Sequence, residues 1–225
     1  MEHLTTIRDA RGKVPRCPKS MNVDTMVSNI LAVYDGATPD QRHAGMGWYP
    51  TALRSAEGIA LGTGLPIATV VGVMAALSPS NKWARNVADT AALCHAFKLG
   101  GRAAALEVPT CTFNTMKHRG LEVLALPSPC PEAIASIIHG KKGRKVRSFF
   151  HCIRSGGQQD VCIDGHAYNI TVGTRAALHK VPSLGQGKYA WLQVAYATAA
   201  EARGVLPSEM QAVTWVAWRA THGIE

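Results

Sequence analysis

The sequence lacks several features that would assign a cofactor or a membrane. Its six cysteines form no C-x-x-C pair and no spacing typical of a zinc or iron–sulfur site. No apolar run approaches the roughly eighteen residues of a membrane span, and the first residues contain no apolar segment of the signal-peptide kind. We therefore expect a chain without cofactor, metal or membrane association, in a reducing, cytoplasmic compartment.

Acidic residues are also scarce relative to basic ones. The 225 residues include 24 Lys and Arg against 15 Asp and Glu, a formal net charge of +9. Such an excess favours a polyanionic partner, although it does not decide the fold. Because 47% of the residues are hydrophobic, we expect a folded domain rather than a disordered chain.

Strand signals are sparse, and the short segment QDVCI (159–163) is the best of them. Helical periodicity recurs instead, and it predicts an all-α protein. We expect a basic N-terminal arm over residues 1–21 and one helical domain of two lobes over 22–225. The predicted helices span 23–35, 50–62, 66–77, a segment from 83 onwards, 131–138, 165–172, 189–203 and 207–222, the last with Trp215 and Trp218 in the core.

Residues 140–154 (GKKGRKVRSFFHCIR) combine a glycine-rich start with an amphipathic pattern. Apolar residues recur at helical spacing, and basic residues occupy the other face. Glycines at a helix start let the backbone approach a ligand closely, and free amides there favour a phosphate. Together with the preceding helix, this predicts a helix–hairpin–helix over about 131–154. The apolar positions are Val146, Phe149, Phe150 and Ile153; the candidate phosphate ligands are Gly140, Lys141, Lys142, Gly143, Arg144 and Arg147.

Asp164 follows two apolar residues and precedes a second helical pattern. One interpretation is an N-cap, whose side-chain oxygen accepts a hydrogen bond from a backbone amide of the first turn. The other is a fixed carboxylate that stabilises a positively charged sugar or deprotonates a nucleophile.

The motif GRKVRSFFHCI…VCIDGHAYNI resembles the helix–hairpin–helix DNA glycosylases, which include endonuclease III and 8-oxoguanine glycosylase. The resemblance implies that Gly143 is the last hairpin glycine, Lys145 the nucleophilic lysine and Asp164 the catalytic aspartate. A second segment, VVGVMAALSPSNKWARNVADTAAL (70–93), is similar to the family's helix–turn–helix. It implies that Asn81, beside Lys82, fills the space left by the extruded base; a simple capping turn is the alternative.

The resemblance implies a monomeric DNA glycosylase that flips a damaged or modified base out of double-stranded DNA, with or without AP-lyase activity. Trp48, Tyr49 and His166 are candidates for the base pocket, although Trp48 and Tyr49 also suit the packing of a helix start and His166 suits a cap or the core. Two other functions stay open: a non-catalytic DNA-binding protein on the same fold, and a transfer reaction at the same sugar in modified phage DNA. The flanking segments suggest a phage-type branch acting in the host cytoplasm.

Overall fold

A computed structural model describes residues 17–18, 21–139 and 143–224. Over these ranges the chain forms eleven α-helices and a short 3-10 helix, Leu178–Lys180, and no strand. The predicted all-α class is therefore confirmed. Most of the predicted basic arm, residues 1–21, lies outside the described residues.

The chain divides into two compact units, which we name for their place in the sequence. The terminal unit contains the described residues up to Trp48 and those from Asp160 onwards, and the middle unit is Tyr49–Gln159. The terminal unit contains α1 (Val23–Asp35), α2 (Pro39–Met46), α9 (Gly165–Val172), α10 (Gln186–Glu201) and α11 (Pro207–Thr221). The middle unit contains α3 (Trp48–Thr63, apart from its first residue), α4 (Ile67–Ala76), α5 (Trp83–Glu107), α6 (Asn114–Leu124), α7 (Pro131–His139) and α8 (Arg144–Arg154).

In the terminal unit, α1, α10 and α11 share one apolar core. Ile30, Tyr196 and Val213 have no exposed surface there, and burying such side chains is the main driving force for folding. At Gly45, α2 approaches α11 so closely that a Cβ would lie 2.4 Å from the Cα of Val213. The packing of α2 against α11 therefore requires glycine at position 45.

In the middle unit, α4 is the central helix and packs against α5, α6, α7 and α8. Every residue from Thr69 to Ala76 is buried. A helix that is apolar all round is expected where neighbours cover all its faces. The helix predicted over 66–77 is thus present as α4. A Cβ at Gly72 would lie 2.5 Å from Cγ2 of Ile134, which shows how closely α7 approaches α4.

The segment QDVCI (159–163), which carried the best of the sparse strand signals, forms no strand, in agreement with the all-α prediction. Val161, Cys162 and Ile163 are buried in succession rather than alternately. Two side chains of α10 bind the backbone here: Gln193 donates to the Val161 carbonyl at 2.9 Å, and Tyr189 Oη accepts the Ile163 N–H at 3.0 Å. The segment thus pairs with side chains instead of a neighbouring strand.

Two helices, α2 and α6, were not predicted, whereas the helix predicted from residue 83 onwards is α5. A capping box marks the start of α2: Thr38 Oγ1 accepts from the Gln41 amide at 3.2 Å, and Gln41 Oε1 accepts from the Thr38 amide at 2.9 Å. Helix α5 continues to Glu107 across a kink at Gly100 and Gly101. Helix α6 lies between Pro109 and Pro127, whose turn signals are stronger than its own helical pattern.

None of the described helices is by itself long and apolar enough to cross a membrane. Helices α3 and α4 pass that test of length and composition only as a pair, and the chain bends by 118° between them.

Candidate functional site

Helices α7 and α8 are joined by four residues, of which Gly143 is the described one. The other three predicted phosphate ligands of this connection, Gly140, Lys141 and Lys142, lie outside the described residues. The Gly143 amide donates to the His139 carbonyl at 2.6 Å. A Cβ at position 143 would lie only 2.2 Å from that carbonyl oxygen. The turn into α8 therefore requires glycine at this position.

Helix α8 presents an apolar face to the middle unit and a basic face to solvent. Val146, Phe150 and Ile153 are buried as predicted, whereas Phe149 is half-buried. Of the basic residues, Lys145 and Arg147 are exposed, and Arg144 is half-buried. No acidic residue lies in the first turn, and no side chain caps the helix. The start of α8 is therefore electropositive both from its side chains and from the helix dipole.

Asp164 is the N-cap of α9, with its backbone extended at φ −95° and ψ −173°. Its Oδ1 accepts a hydrogen bond from the Ala167 amide at 2.8 Å, and its Oδ2 accepts from Trp215 Nε1 at 3.2 Å. Both oxygens act as acceptors, as in a carboxylate, and both donors are uncharged. The half-buried group is thus fixed in position by one contact from its own helix and one from α11.

Trp215 was predicted to be a core residue, and this prediction is only partly right. Its ring is half-buried, its N–H binds Asp164, and the Arg219 guanidinium lies 4.3 Å from the ring centroid. Trp218 is half-buried and packs against the core of the terminal unit, with its ring centroid 4.0 Å from that of His222. The two tryptophans therefore differ in role although both lie on α11.

The negative charge of Asp164 affects the pKa of Tyr196, a core residue of α10. Burial raises the pKa of Tyr196 above its usual range, and the negative charge of Asp164 raises this pKa further, while a hydrogen bond with Thr214 lowers it. The Tyr196 hydroxyl donates to the Ala167 carbonyl at 3.4 Å. Tyr196 therefore stays neutral and serves packing rather than proton transfer.

The turn containing Asn81 and Lys82 is tied to a buried carboxylate that the sequence did not reveal. Asn81 Nδ2 donates to the Leu77 carbonyl at 3.3 Å and to Asp89 Oδ2 at 3.2 Å. Asp89, whose side chain is 3% exposed, also accepts from the Cys111 amide at 2.8 Å and pairs with Arg85 at 2.5 Å. Asn81 thus takes part in an internal network, which favours a structural role in the turn, although the N-cap of α5 is Lys82 and no side chain caps that helix. Lys82 is exposed beside it.

The three candidates for the base pocket lie in different environments. Tyr49 is 4% exposed and packs edge-on against Phe149 at 6.4 Å between centroids, which favours the packing interpretation. Trp48 is half-buried, and its ring lies edge-on to Trp215, 6.4 Å between centroids. His166 is half-buried in the first turn of α9. Trp48 is therefore linked through Trp215 to Asp164.

The remaining reactive groups offer no obvious second centre. Burial raises the pKa of Cys94 to about 12, so its thiol stays protonated. No group of three or more His, Cys, Asp or Glu side chains in the described ranges is arranged to hold a metal ion. Lys145 belongs to the middle unit, whereas Asp164, His166 and Trp215 belong to the terminal unit.

Comparison with known proteins gives a family but no function. No curated protein and no solved structure matches the sequence. One family model matches residues 13–222, nearly the whole chain. The chain therefore belongs to this family, whose description is "Family of unknown function (DUF7178)".

Proposed function

We propose that the protein is a DNA glycosylase of the helix–hairpin–helix type, which removes a damaged or modified base from double-stranded DNA. The observation that carries this proposal is the Asp164 carboxylate, fixed at the start of α9 by hydrogen bonds to both of its oxygens. The sequence resemblance assigns the catalytic role to this same residue. The finer assignment of the all-α fold to the helix–hairpin–helix class is part of the proposal.

The start of α8 supports contact with the DNA backbone. Lys145 and Arg147 are exposed, and the helix dipole adds positive potential at the same end. A hairpin that brings its backbone close to a phosphate is expected to be short and to contain glycine. The connection between α7 and α8 is short and requires glycine at position 143. Such contacts position a protein on DNA without reading its sequence.

Asp164 provides a negative charge for the cleavage step. When the bond between the sugar C1′ and the base breaks, its electron pair leaves with the base and positive charge develops on the sugar. A fixed carboxylate favours this charged state over the neutral ground state, and such preorganised electrostatics is usually the largest catalytic contribution. The base must first leave the duplex, because its bond to the sugar is inaccessible inside the stack.

Lys145 is assigned the nucleophile of a lyase-competent enzyme. Its amine nitrogen, once deprotonated, bonds to C1′ as the base departs, and opening of the sugar ring then gives a Schiff base. If Lys145 instead binds a phosphate, Asp164 activates a water molecule, and the enzyme releases the base without cleaving the strand.

Borohydride trapping tests this proposal. The protein is incubated with duplexes that carry an abasic site, a uracil or an 8-oxoguanine, and both the covalent adduct and the released base are measured. We expect an adduct that is lost in Lys145→Gln. We expect base release to fall by about 10²- to 10⁴-fold in Asp164→Asn, the range for removal of an acid–base group.

Matched variants separate these effects from general damage. Lys188, like Lys145, is exposed in the first turn of its helix, α10. Asp40 is also an acidic residue at a helix start, but it is exposed and lies in the first turn of α2. Lys188→Gln and Asp40→Asn should therefore behave as the wild-type protein. Base release without an adduct would leave the monofunctional mechanism. DNA binding without either reaction would reject the glycosylase proposal for these lesions and favour the non-catalytic DNA-binding protein.

A further inference from the structure

We propose that Trp215 is a positioning residue for Asp164, and this inference rests on the proposed glycosylase function. Its indole N–H is the donor for Asp164 Oδ2, at 3.2 Å. The other oxygen is held by the Ala167 amide at 2.8 Å. A hydrogen bond to one oxygen alone would let the carboxylate turn about that contact. The second hydrogen bond, to the other oxygen, restricts this rotation.

The two donors to Asp164 differ from a lysine or arginine partner because neither of them is charged. Both are uncharged N–H groups, so they orient the carboxylate without placing a formal positive charge against it. A paired arginine or lysine would offset much of its field. The two hydrogen bonds of Asp164 therefore orient its carboxylate without a cationic donor, and the nearby Arg219 guanidinium contacts the Trp215 ring. Asp89 shows the contrasting arrangement, because Arg85 pairs with it directly.

Trp215 is itself held on two sides. The Arg219 guanidinium lies over its ring, 4.3 Å from the centroid, and Trp48 packs against it edge-on at 6.4 Å between centroids. Both contacts have the geometries in which a cation or a second ring attracts an indole. The indole N–H is thus aimed at Asp164 by a supported ring rather than by a mobile side chain. The three residues Trp48, Trp215 and Asp164 form one connected group in the terminal unit.

The chain offers a closely matched control on the same helix. Trp218 is also half-buried, and its Nε1 makes no hydrogen bond within the described part of the chain. Phenylalanine at either position keeps an aromatic ring and removes the N–H. Trp215→Phe therefore deletes the bond to Asp164, and Trp218→Phe deletes an N–H that makes no hydrogen bond among the described residues.

The first measurement is a ¹⁵N–¹H spectrum of the indole groups of the five tryptophans. The Trp215 and Trp218 signals are assigned as those lost in the two phenylalanine variants. In Asp164→Asn, the Trp215 signal should move because its charged acceptor is replaced by a neutral amide, while the Trp218 signal stays in place. A Trp215 signal that does not respond to this substitution would overturn the inference.

The second measurement is the single-turnover rate of base release or adduct formation on the abasic, uracil and 8-oxoguanine duplexes. Trp215→Phe should slow the bound-state rate by about 10- to 100-fold, as removal of a positioning partner typically does, with unchanged DNA affinity. Trp218→Phe should match the wild-type protein. If the wild-type protein is active and Trp215→Phe is equally active, the positioning role of Trp215 is wrong, while the glycosylase function stands. An inactive wild-type protein would overturn the glycosylase function and, with it, the positioning role.

Discussion

The starts of α8 and α9 are built in opposite ways. At α8, Gly143 lies against the carbonyls of α7, no side chain caps the helix, and exposed cations follow. At α9, the side chain of Asp164 accepts from the amide of the first turn and places a negative charge there. One helix start is therefore prepared to receive an anion, whereas the other already provides one.

This difference shows that a helix N-terminus can be built either to bind an anion or to act on a cation. A helix dipole favours negative charge at any N-terminus. If the N-cap is a carboxylate, the charge belongs to the protein and acts on a cation. If the N-cap is glycine, no side chain of the cap competes with an external anion such as a phosphate. Substitutions at each start test whether these assignments hold.

The largest effect is expected at Gly143. In Gly143→Ala the new Cβ would lie 2.2 Å from the His139 carbonyl oxygen and 2.7 Å from that of Ile138, and both are backbone atoms. We expect the free energy of unfolding to fall by about 2–3 kcal/mol, the upper range for overpacking. Urea denaturation followed by circular dichroism measures this change.

Gly185 provides the matched control for Gly143. It is the N-cap of α10, and a Cβ there would meet nothing within 4 Å. Gly185→Ala should change stability by less than about 1 kcal/mol. Equal effects of the two substitutions would mean that the close approach of Gly143 to α7 is absent.

An intermediate effect is expected from the cap of α9. Asp164→Ala removes the acceptor for the Ala167 amide and should lower stability by about 1 kcal/mol, whereas Asp164→Asn should cost much less because asparagine also caps helices well. Thermal denaturation of both variants provides the measurement. If Asp164→Asn destabilised the protein as much as Asp164→Ala, the cap bond would not be what Asp164 contributes to stability.

The smallest effect is expected from a single cation of α8. Loss of one phosphate contact in Arg147→Gln should reduce the slope of log affinity against log salt concentration for duplex DNA by about 0.9. Fluorescence anisotropy at several salt concentrations determines this slope. Arg175, also exposed but in the terminal unit, supplies the control, and Arg175→Gln should leave the slope unchanged. An unchanged slope in Arg147→Gln would remove α8 from the proposed DNA interface.

Much of the helical fold could be predicted from local patterns. Apolar periodicity located α1, a nearly continuous apolar segment located α4, and the helical pattern after Asp164 marked α9. The strand signal of QDVCI was misleading because a run of buried residues does not distinguish a strand from an extended segment covered by side chains. The buried partner in that case, α10, lies some distance along the chain.

The candidate site was predictable only in part. The N-cap position of Asp164 was recognisable because such a cap has a local sequence signature, whereas its catalytic role is a prediction from the resemblance. Trp215 was not recognisable, because its bond to Asp164 joins positions 51 residues apart and an indole on an apolar helix has no signature of its own. The network of Asn81 and Asp89 was missed for a related reason, since a buried carboxylate is recognisable only from its partners.

The terminal unit is assembled from two stretches of chain that the whole middle unit separates. Helix α1 buries Met26, Ile30 and Tyr34 in a core whose other members lie mainly in α9, α10 and α11. During synthesis, α1 therefore leaves the ribosome long before its partners exist, whereas Tyr49–Gln159 emerges as one continuous stretch. The order of translation thus favours folding of the middle unit first, and α1 acquires its core only when the last helices are complete.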